Sequence, residues 1–489
     1  MAQEQDTRIR ILDSILTTPH NEKPVLDRVA TFHRDSLNSD PLFYGHLAAW
    51  YAQNGSVRDH KETFVAALFT SDMPEHRDAA CALLQELPPY EVQRVVTTLK
   101  ERFHKMPRKA KTAVVAYLRA RESKIDWFDK AAVRGHEAMK SLYARLHVKP
   151  SARAERILFK DDPPKGSTLW MVKKLAKTAD PDKQAELIVS AGIPAPIAIG
   201  AVRQLTPPVV AALLAAMTPS ELVNNVKSLK EKGAYDNPDL KAMIEEKLKA
   251  AKTDKRISGH KAMVAADAAG ITGKAREQLE DVANTQIRSK GTIRRPTAML
   301  VDKSGSMTTA IEYGKLAAAA ISGVSEADLF VWAFDVLPHR IEAKGKNLSD
   351  WEAAFRGMKA DGGTGVGGCF VAMARSKQVV EQVVIVTDEE ENQNPLSDEG
   401  YLSYVQQMGV RPDVIVVNVG NSDSSCVTVR MQAAGISVQR LKFTGDYVGV
   451  SNLIPLLAAP TRLDLLLQIM EVPLPKWERN GKNASDKEE

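Results

Sequence analysis

Pro296-Thr297-Ala298-Met299-Leu300-Val301-Asp302-Lys303-Ser304-Gly305-Ser306 decides how the carboxy-terminal half of this chain folds. An apolar run leads straight into a loop carrying one carboxylate and two hydroxyls, which reads as a strand ending in a polar loop. Two further loops match it. The glycine-rich turn Asp361-Gly362-Gly363-Thr364-Gly365 offers a third hydroxyl, and the apolar run Val383-Val384-Ile385-Val386-Thr387 ends in Asp388. In an open α/β sheet, ligands collect outside the carboxyl ends of the strands, so the three loops can meet at one point. Asp302, Ser304, Ser306, Thr364 and Asp388 then form an oxygen-only set with few formal charges. Such a set suits a hard divalent cation, Mg²⁺ above all, with room left for water or an outside ligand.

Outward from that stretch the alternation continues. Strands are expected near 297–302, 328–334, 383–387, 413–419 and 437–443, with helices near 308–322, 348–358, 365–379, 398–408 and 426–435. This is the pattern of a mostly parallel sheet covered on both faces. Before it, residues 1–285 read as helix after helix, rich in Ala, Leu, Lys, Glu and Arg and punctuated by Pro and Gly. Apolar stripes such as Leu42–Tyr51, Phe64–Phe69 and Ala79–Leu84 suit paired antiparallel helices of the HEAT or armadillo kind. The expected architecture is multidomain: an all-α helical-repeat ring or solenoid (1–285), a basic linker (286–296), a doubly wound α/β domain (297–470) and a charged, mobile tail (471–489).

Composition bounds the function. The 489 residues carry 44% hydrophobic and 26% charged side chains, ordinary for a globular protein. Three widely spaced cysteines fit a reducing cytosol rather than a disulfide framework. The amino terminus does not read as a secretory signal. The most apolar stretch, residues 193–217, is broken by Arg203, Gln204 and prolines, so it reads as two short helices and not as a membrane span. The net charge of +5 conceals a division: residues 101–300 hold 38 basic and 22 acidic side chains, residues 301–489 hold 18 and 25. Residues 101–150 are the most lopsided, with 13 basic against 5 acidic. Such a concentration is the footprint of a phosphate-binding surface, although a solvated lysine-rich face would look the same.

The order of the three loops resembles the metal-ion-dependent adhesion site of von Willebrand factor A domains. A helical-repeat half joined to such a domain resembles the Ro autoantigen family, whose helical part is the TROVE module. Leu142-Tyr-Ala-Arg-Leu-His147-Val-Lys149-Pro150-Ser151 resembles the family's helix end followed by His-x-Lys-Pro-Ser. Arg108-Lys109-Ala110-Lys111, Met217-Thr218-Pro219 with the residues to Val226, and Arg256-Ile257 to His260 resemble further family patches. The resemblance spans roughly residues 100–455. It implies a helical ring, closed by the A domain, that binds structured small non-coding RNA and single-stranded ends of misfolded transcripts. His147 matches the family's RNA-contacting histidine, and Lys109 and Lys111 fall in its basic helix. Asn224 or Asn225 stands where the family has an arginine, and Lys303 where many relatives have an apolar residue.

Arg119, Arg121, Arg134, Lys140, Arg145 and Lys149 complete the expected RNA-binding set, with Lys124 beside them and Trp127, Phe128 and Tyr143 as stacking or core aromatics. Asp388-Glu389-Glu390-Glu391 reads as a loop whose first residue faces the ion and whose remainder faces water. No catalytic constellation is legible, and Cys369 reads as a buried thiol. The expectation is a non-catalytic, cytoplasmic, monomeric RNA-binding scaffold whose metal site takes an acidic residue of a nuclease or other protein. The rivals are a metal-dependent adaptor of an ATP-driven remodelling or chelatase-type machine, and a nucleic-acid enzyme using Asp126 or Asp129.

Overall fold

The computed structural model describes residues 7–17, 23–55, 58–254, 257, 262, 265, 270, 273–289, 291–419, 426–443, 450–459 and 462–477. It divides into two compact units: residues 21–248 with 468–489, and residues 1–20 with 249–467. This division falls ahead of the expected boundary near 285, because the helix Lys274–Arg288 packs on the helix Thr308–Val324 of the second unit. The expected linker at 286–296 is thus helical as far as Arg288. Of the Arg256–His260 patch, only Ile257 lies within the described residues.

The first unit is built of helices alone among its described elements. Many open on a proline at the first turn, as at Pro41, Pro74, Pro89, Pro181, Pro207 and Pro219. A first-turn N–H has no intrahelical acceptor, so proline loses nothing there and brings its fixed φ. The apolar 193–217 stretch forms two short helices, Ala195–Ala201 and Pro207–Ala216, as its prolines dictate. No helix of the described residues is long and apolar enough to cross a membrane. Phe43, Tyr44, Tyr51, Phe64 and Phe69 fill the amino-terminal core. Inside it lies a polar chain absent from any sequence expectation: His33 Nδ1 meets the Tyr44 hydroxyl at 2.6 Å and His33 Nε2 meets His60 Nδ1 at 2.8 Å. Further along, Tyr117, Phe128, Tyr143 and Leu146 pack between successive helices.

The second unit carries a six-stranded sheet: β1 (Thr297–Asp302), β2 (Leu329–Phe334), β3 (Pro338–Ile341), β4 (Gln382–Thr387), β5 (Asp413–Asn418) and β6 (Val438–Lys442). Their order is β3-β2-β1-β4-β5-β6. All neighbours are parallel except β2 and β3, whose antiparallel register runs from Val331–Ile341 to Phe334–Pro338. β1 and β4 are buried at every position, which is why they read as continuous apolar runs. β3 was not expected: it is a short edge strand opening on a proline. One face of the sheet packs Leu300, Phe334, Ile385 and Val416 against Phe370, Met373, Tyr401 and Tyr404. The chain winds outward from β1 in both directions, so the β1–β4 gap is the switch point of the topology. Gly367 and Gly400 let the helices Gly367–Arg375 and Ser397–Met408 touch backbone to backbone, since a Cβ on either would overlap the other helix or its approach. That close crossing brings the 361–366 turn beside the loop after β4.

Candidate metal centre and basic face

The loops after β1 and β4 meet at the switch point. Asp302, at the end of β1, is fully buried; its Oδ1 accepts the Ser304 N–H at 2.8 Å and its Oδ2 accepts the Thr387 hydroxyl at 2.6 Å. The Ser306 hydroxyl donates to Asp388 Oδ2 at 3.2 Å, and the Glu390 N–H donates to Asp388 Oδ1 at 3.1 Å. The glycine turn is tied to both loops. Gly305 N–H donates to the Gly362 carbonyl at 3.3 Å, Asp361 N–H to the Lys303 carbonyl at 2.8 Å, and Thr364 N–H to Asn392 Oδ1 at 3.0 Å. Ser304 and Thr364 are buried and Ser306 is exposed. Asp302, Ser304, Ser306 and Asp388 are thus joined directly or through one neighbour, and Thr364 stands on the loop fastened against them.

The two carboxylates of this corner repel one another. Burial, with the Asp388 charge adding to it, pushes the Asp302 carboxyl up to about 6 against the pull of its hydrogen bonds. Among the described residues, no basic side chain forms an ion pair with Asp302 or Asp388. Lys303, the nearest candidate in sequence, turns instead to Asp335 at the end of β2, whose other oxygen accepts the Leu337 N–H at 2.8 Å. The two carboxylates and the Ser304 and Ser306 hydroxyls beside them are hard oxygen donors that could hold a divalent ion of the Mg²⁺ kind, with Thr364 on the turn fastened alongside.

The acidic run beyond Asp388 corrects its sequence reading. Glu389 and Glu391 are turned inward, and only Glu390 faces water. Glu389 sits at φ +68° and pairs with Arg440 of β6. It also accepts from Asn418 Nδ2 at 3.0 Å and the Thr428 N–H at 3.1 Å. Glu391 accepts the Ser397 N–H and hydroxyl at 3.0 and 2.8 Å and the Val366 N–H at 3.2 Å. These carboxylates lash β4, β5, β6 and three helix starts behind the site. Asn392, Asn418, Glu389, Glu391 and the Lys303–Asp335 pair were all missed from sequence. Cys369 is fully buried in the sheet's core.

In the helical unit the expected RNA residues separate into groups. Lys111, His147 and Lys149 are exposed, and Lys140 is half-buried. Lys109 pairs with Asp78 at 2.5 Å, Arg134 with Glu221 at 2.7 Å and Arg145 with Glu101 at 3.2 Å. Arg121 departs from the expectation: it is only 5% exposed, lying between the Tyr117 and Trp127 rings at 4.3 and 3.8 Å from their centroids. Phe128 and Tyr143 are core residues, whereas Trp127 is exposed. Asp129 is held by Arg153 at 3.0 and 2.6 Å and accepts the Thr168 N–H, so it is a structural carboxylate; Asp126 is exposed.

The segment from His147 to Ser151 is a fixed turn. His147 ends its helix in the left-handed region at φ +53°, with its N–H on the Ala144 carbonyl and the Val148 N–H on the Tyr143 carbonyl. Glu122 Oε1 accepts both the Tyr143 hydroxyl at 2.7 Å and the Ser151 N–H at 2.9 Å, while Arg119 binds Glu122 Oε2 and the Lys149 carbonyl. Burial works to raise the Glu122 carboxyl, but these donors hold it below its usual value. The imidazole of His147 is thereby presented to solvent from a rigid backbone.

No family model matches the chain, and no curated protein matches it in sequence. Among solved structures, the Ro (RSR) protein of Deinococcus radiodurans superposes with a TM-score of 0.61 at 16% identity, over 93% of this chain and 99% of that one. An aerotolerance-related membrane protein of Bacteroides fragilis (15% identity, TM-score 0.24) covers 33% of this chain and 96% of its own. BatB of Bacteroides thetaiotaomicron (12%, TM-score 0.26) covers 34% of this chain and 98% of its own. Over nearly its whole length, the chain has the fold of the Deinococcus Ro protein: a region of successive helices followed by an α/β domain.

Proposed function

We propose that this protein belongs to the Ro family and is an RNA-binding scaffold of a ribonucleoprotein, non-catalytic and monomeric, with a divalent-metal site for a protein partner. The observation that carries the proposal is the likeness to a Ro protein across both halves of the chain, since either half alone is a common architecture. The basic excess of residues 101–150 and the rigid His147 turn give that scaffold a phosphate-facing surface. Structured small non-coding RNA and single-stranded RNA ends are the ligands that the family resemblance implies.

In this reading Asp302, Ser304, Ser306, Thr364 and Asp388 hold a Mg²⁺ ion in a von Willebrand A-type adhesion site. The bound ion supplies an open coordination position for a carboxylate of a nuclease or other protein. Asp302 and Asp388 provide the charge, the three hydroxyls fill neutral positions, and the Glu389 and Glu391 networks fix the loop that bears Asp388. The second reading, a metal-dependent adaptor of an ATP-driven machine, draws on that same fastened site and on the acidic balance of residues 301–489. Sequencing the nucleic acid that accompanies the purified protein at moderate salt separates them. The scaffold requires enriched small structured RNA. A protein partner that leaves with chelator, and no RNA, would favour the adaptor.

A further inference from the structure

We infer that Trp127 is a base-stacking platform, taking an unpaired nucleobase of single-stranded RNA on its exposed face while its other face rests on Arg121. The inference deepens the RNA-binding reading and rests on it. Exposed aromatics scattered singly need no explanation, so the 42% exposure of Trp127 carries nothing alone. What sets this one apart lies behind it. The Arg121 guanidinium is 3.8 Å from the Trp127 centroid and 4.3 Å from that of Tyr117, so one buried cation is shared by a buried ring and an exposed one.

Arg121 is 5% exposed, and among the described residues it has no carboxylate partner. It donates to the Leu87 carbonyl at 3.3 Å, which also accepts the Tyr117 hydroxyl, and its Nε has no acceptor. A buried guanidinium is normally paired, because desolvating a charge is costly. Here it is left to the two rings. The cation already occupies one π-face of the indole and draws on its electron density. The exposed part of the indole can still take another π-system, with Lys124 Nζ flanking it at 6.0 Å from the centroid. The shared cation also fixes the ring, so little side-chain freedom is lost on stacking.

The surroundings favour a nucleotide over an uncharged aromatic. Lys124 Nζ lies 6.0 Å from the indole centroid, and Lys124 begins the helix Ile125–Arg134 without a side-chain cap bond. The unbalanced Arg121 charge and this helix start both favour a phosphate nearby. Asp126, exposed in the same turn, opposes it, so stacking rather than charge is the specific interaction. The last turn of the helix Arg108–Glu122 serves both places: Arg121 underlies Trp127, while Arg119 and Glu122 hold the His147 turn.

The test uses the full chain with a labelled ten-nucleotide oligouridylate, and inorganic polyphosphate as a charge-only probe. Trp127→Ala should weaken the oligonucleotide about 5- to 150-fold, the range of one base–aromatic stack, and leave polyphosphate unchanged. Trp127→Phe should recover most of the loss. Irradiating wild-type protein with a 5-iodouridine oligonucleotide should place a crosslink on Trp127, a readout independent of how the variants fold. Equal oligonucleotide affinity in wild type and Trp127→Ala, equal losses for both probes, or crosslinks that avoid Trp127 would overturn the platform and leave the RNA reading intact. An oligonucleotide and a structured RNA that both fail to bind wild type would overturn the two together.

Discussion

The two units handle charge in opposite ways. In the sheet unit the carboxylates around the β1–β4 gap are buried and individually fastened: Asp302 by Ser304 and Thr387, Glu389 by Asn418, Thr428 and Arg440, Glu391 by Ser397 and Val366. In the helical unit the charge that matters stands at the surface, with Lys111, His147 and Lys149 projecting from a frame that Arg119 and Glu122 hold still. A fastened site would suit one small ion in one geometry. A projecting basic face would suit a long polyanion, where the summed attraction outweighs any single pairing.

If this contrast is right, the largest effect of a single change belongs to the sheet unit. Glu389→Ala removes the acceptor shared by Arg440, Asn418 Nδ2 and the Thr428 N–H, and should cost about 3–5 kcal/mol in thermal or denaturant unfolding. Glu389→Gln, which keeps the shape and one acceptor, should cost less. A loss below about 1 kcal/mol for the alanine variant would mean the network is not holding the loop. Next in size, Asp302→Asn should weaken Mg²⁺ binding in calorimetric titration by more than the roughly 10- to 100-fold that outer-shell losses cost. RNA affinity should stay level. A parallel fall in RNA binding would erase the division of labour between the units.

On the projecting side, His147→Gly removes the imidazole at a backbone position (φ +53°) that glycine adopts without strain. RNA affinity should fall about tenfold, near the low end for a charge-assisted hydrogen bond of roughly 1.5–3 kcal/mol, with the melting temperature unchanged. A lowered melting temperature with intact RNA binding would make His147 a cap and nothing more.

The helical unit also has fastened groups, Asp129 and the His33 chain among them, and His33 sharpens the comparison through pH. His33 is fully buried between Tyr44 and His60, and burial, then the His60 charge, holds its imidazole well below 6.5. The unfolded chain therefore takes up a proton near pH 6.5 that the folded chain refuses, so this group's contribution is full above that pH and is lost as pH falls below it. The slope is at most about 1.4 kcal/mol per pH unit. Glu62, raised to about 8 chiefly by burial, acts with the opposite sign as pH falls from 8. The difference between wild type and His33→Gln isolates the histidine: the wild type should lose stability relative to the variant below pH 6.5. Parallel pH curves would show that His33 is not excluded from protonation.

What could be read from the sequence follows the same divide. β1, β4 and β5 were legible because a strand buried on both faces is apolar almost throughout, and the meeting of the three loops was legible because strand ends fix where loops converge. β3 escaped because its Pro338-His339-Arg340-Ile341 shows no pattern; only pairing with β2 makes it a strand. Glu389 and Glu391 escaped because a run of acids reads as solvated unless its partners are known: those of Glu389 lie on β5, β6 and the Cys426–Ala433 helix, and those of Glu391 at the starts of two other helices. Arg121 was counted as surface charge for the same reason. Its neighbours Tyr117 and Trp127 were visible, but their sharing of its cation was not.

The salt dependence of RNA affinity tests the central claim most directly. The full chain is titrated with a structured small RNA across a range of salt, beside Lys111→Glu combined with Lys149→Glu. The account predicts that wild-type log affinity falls linearly with log salt, and that the double variant binds more weakly with a slope flatter by about 0.7–0.9 for each phosphate no longer neutralised. Identical affinity and slope in the two proteins, or no measurable binding by either, would contradict it.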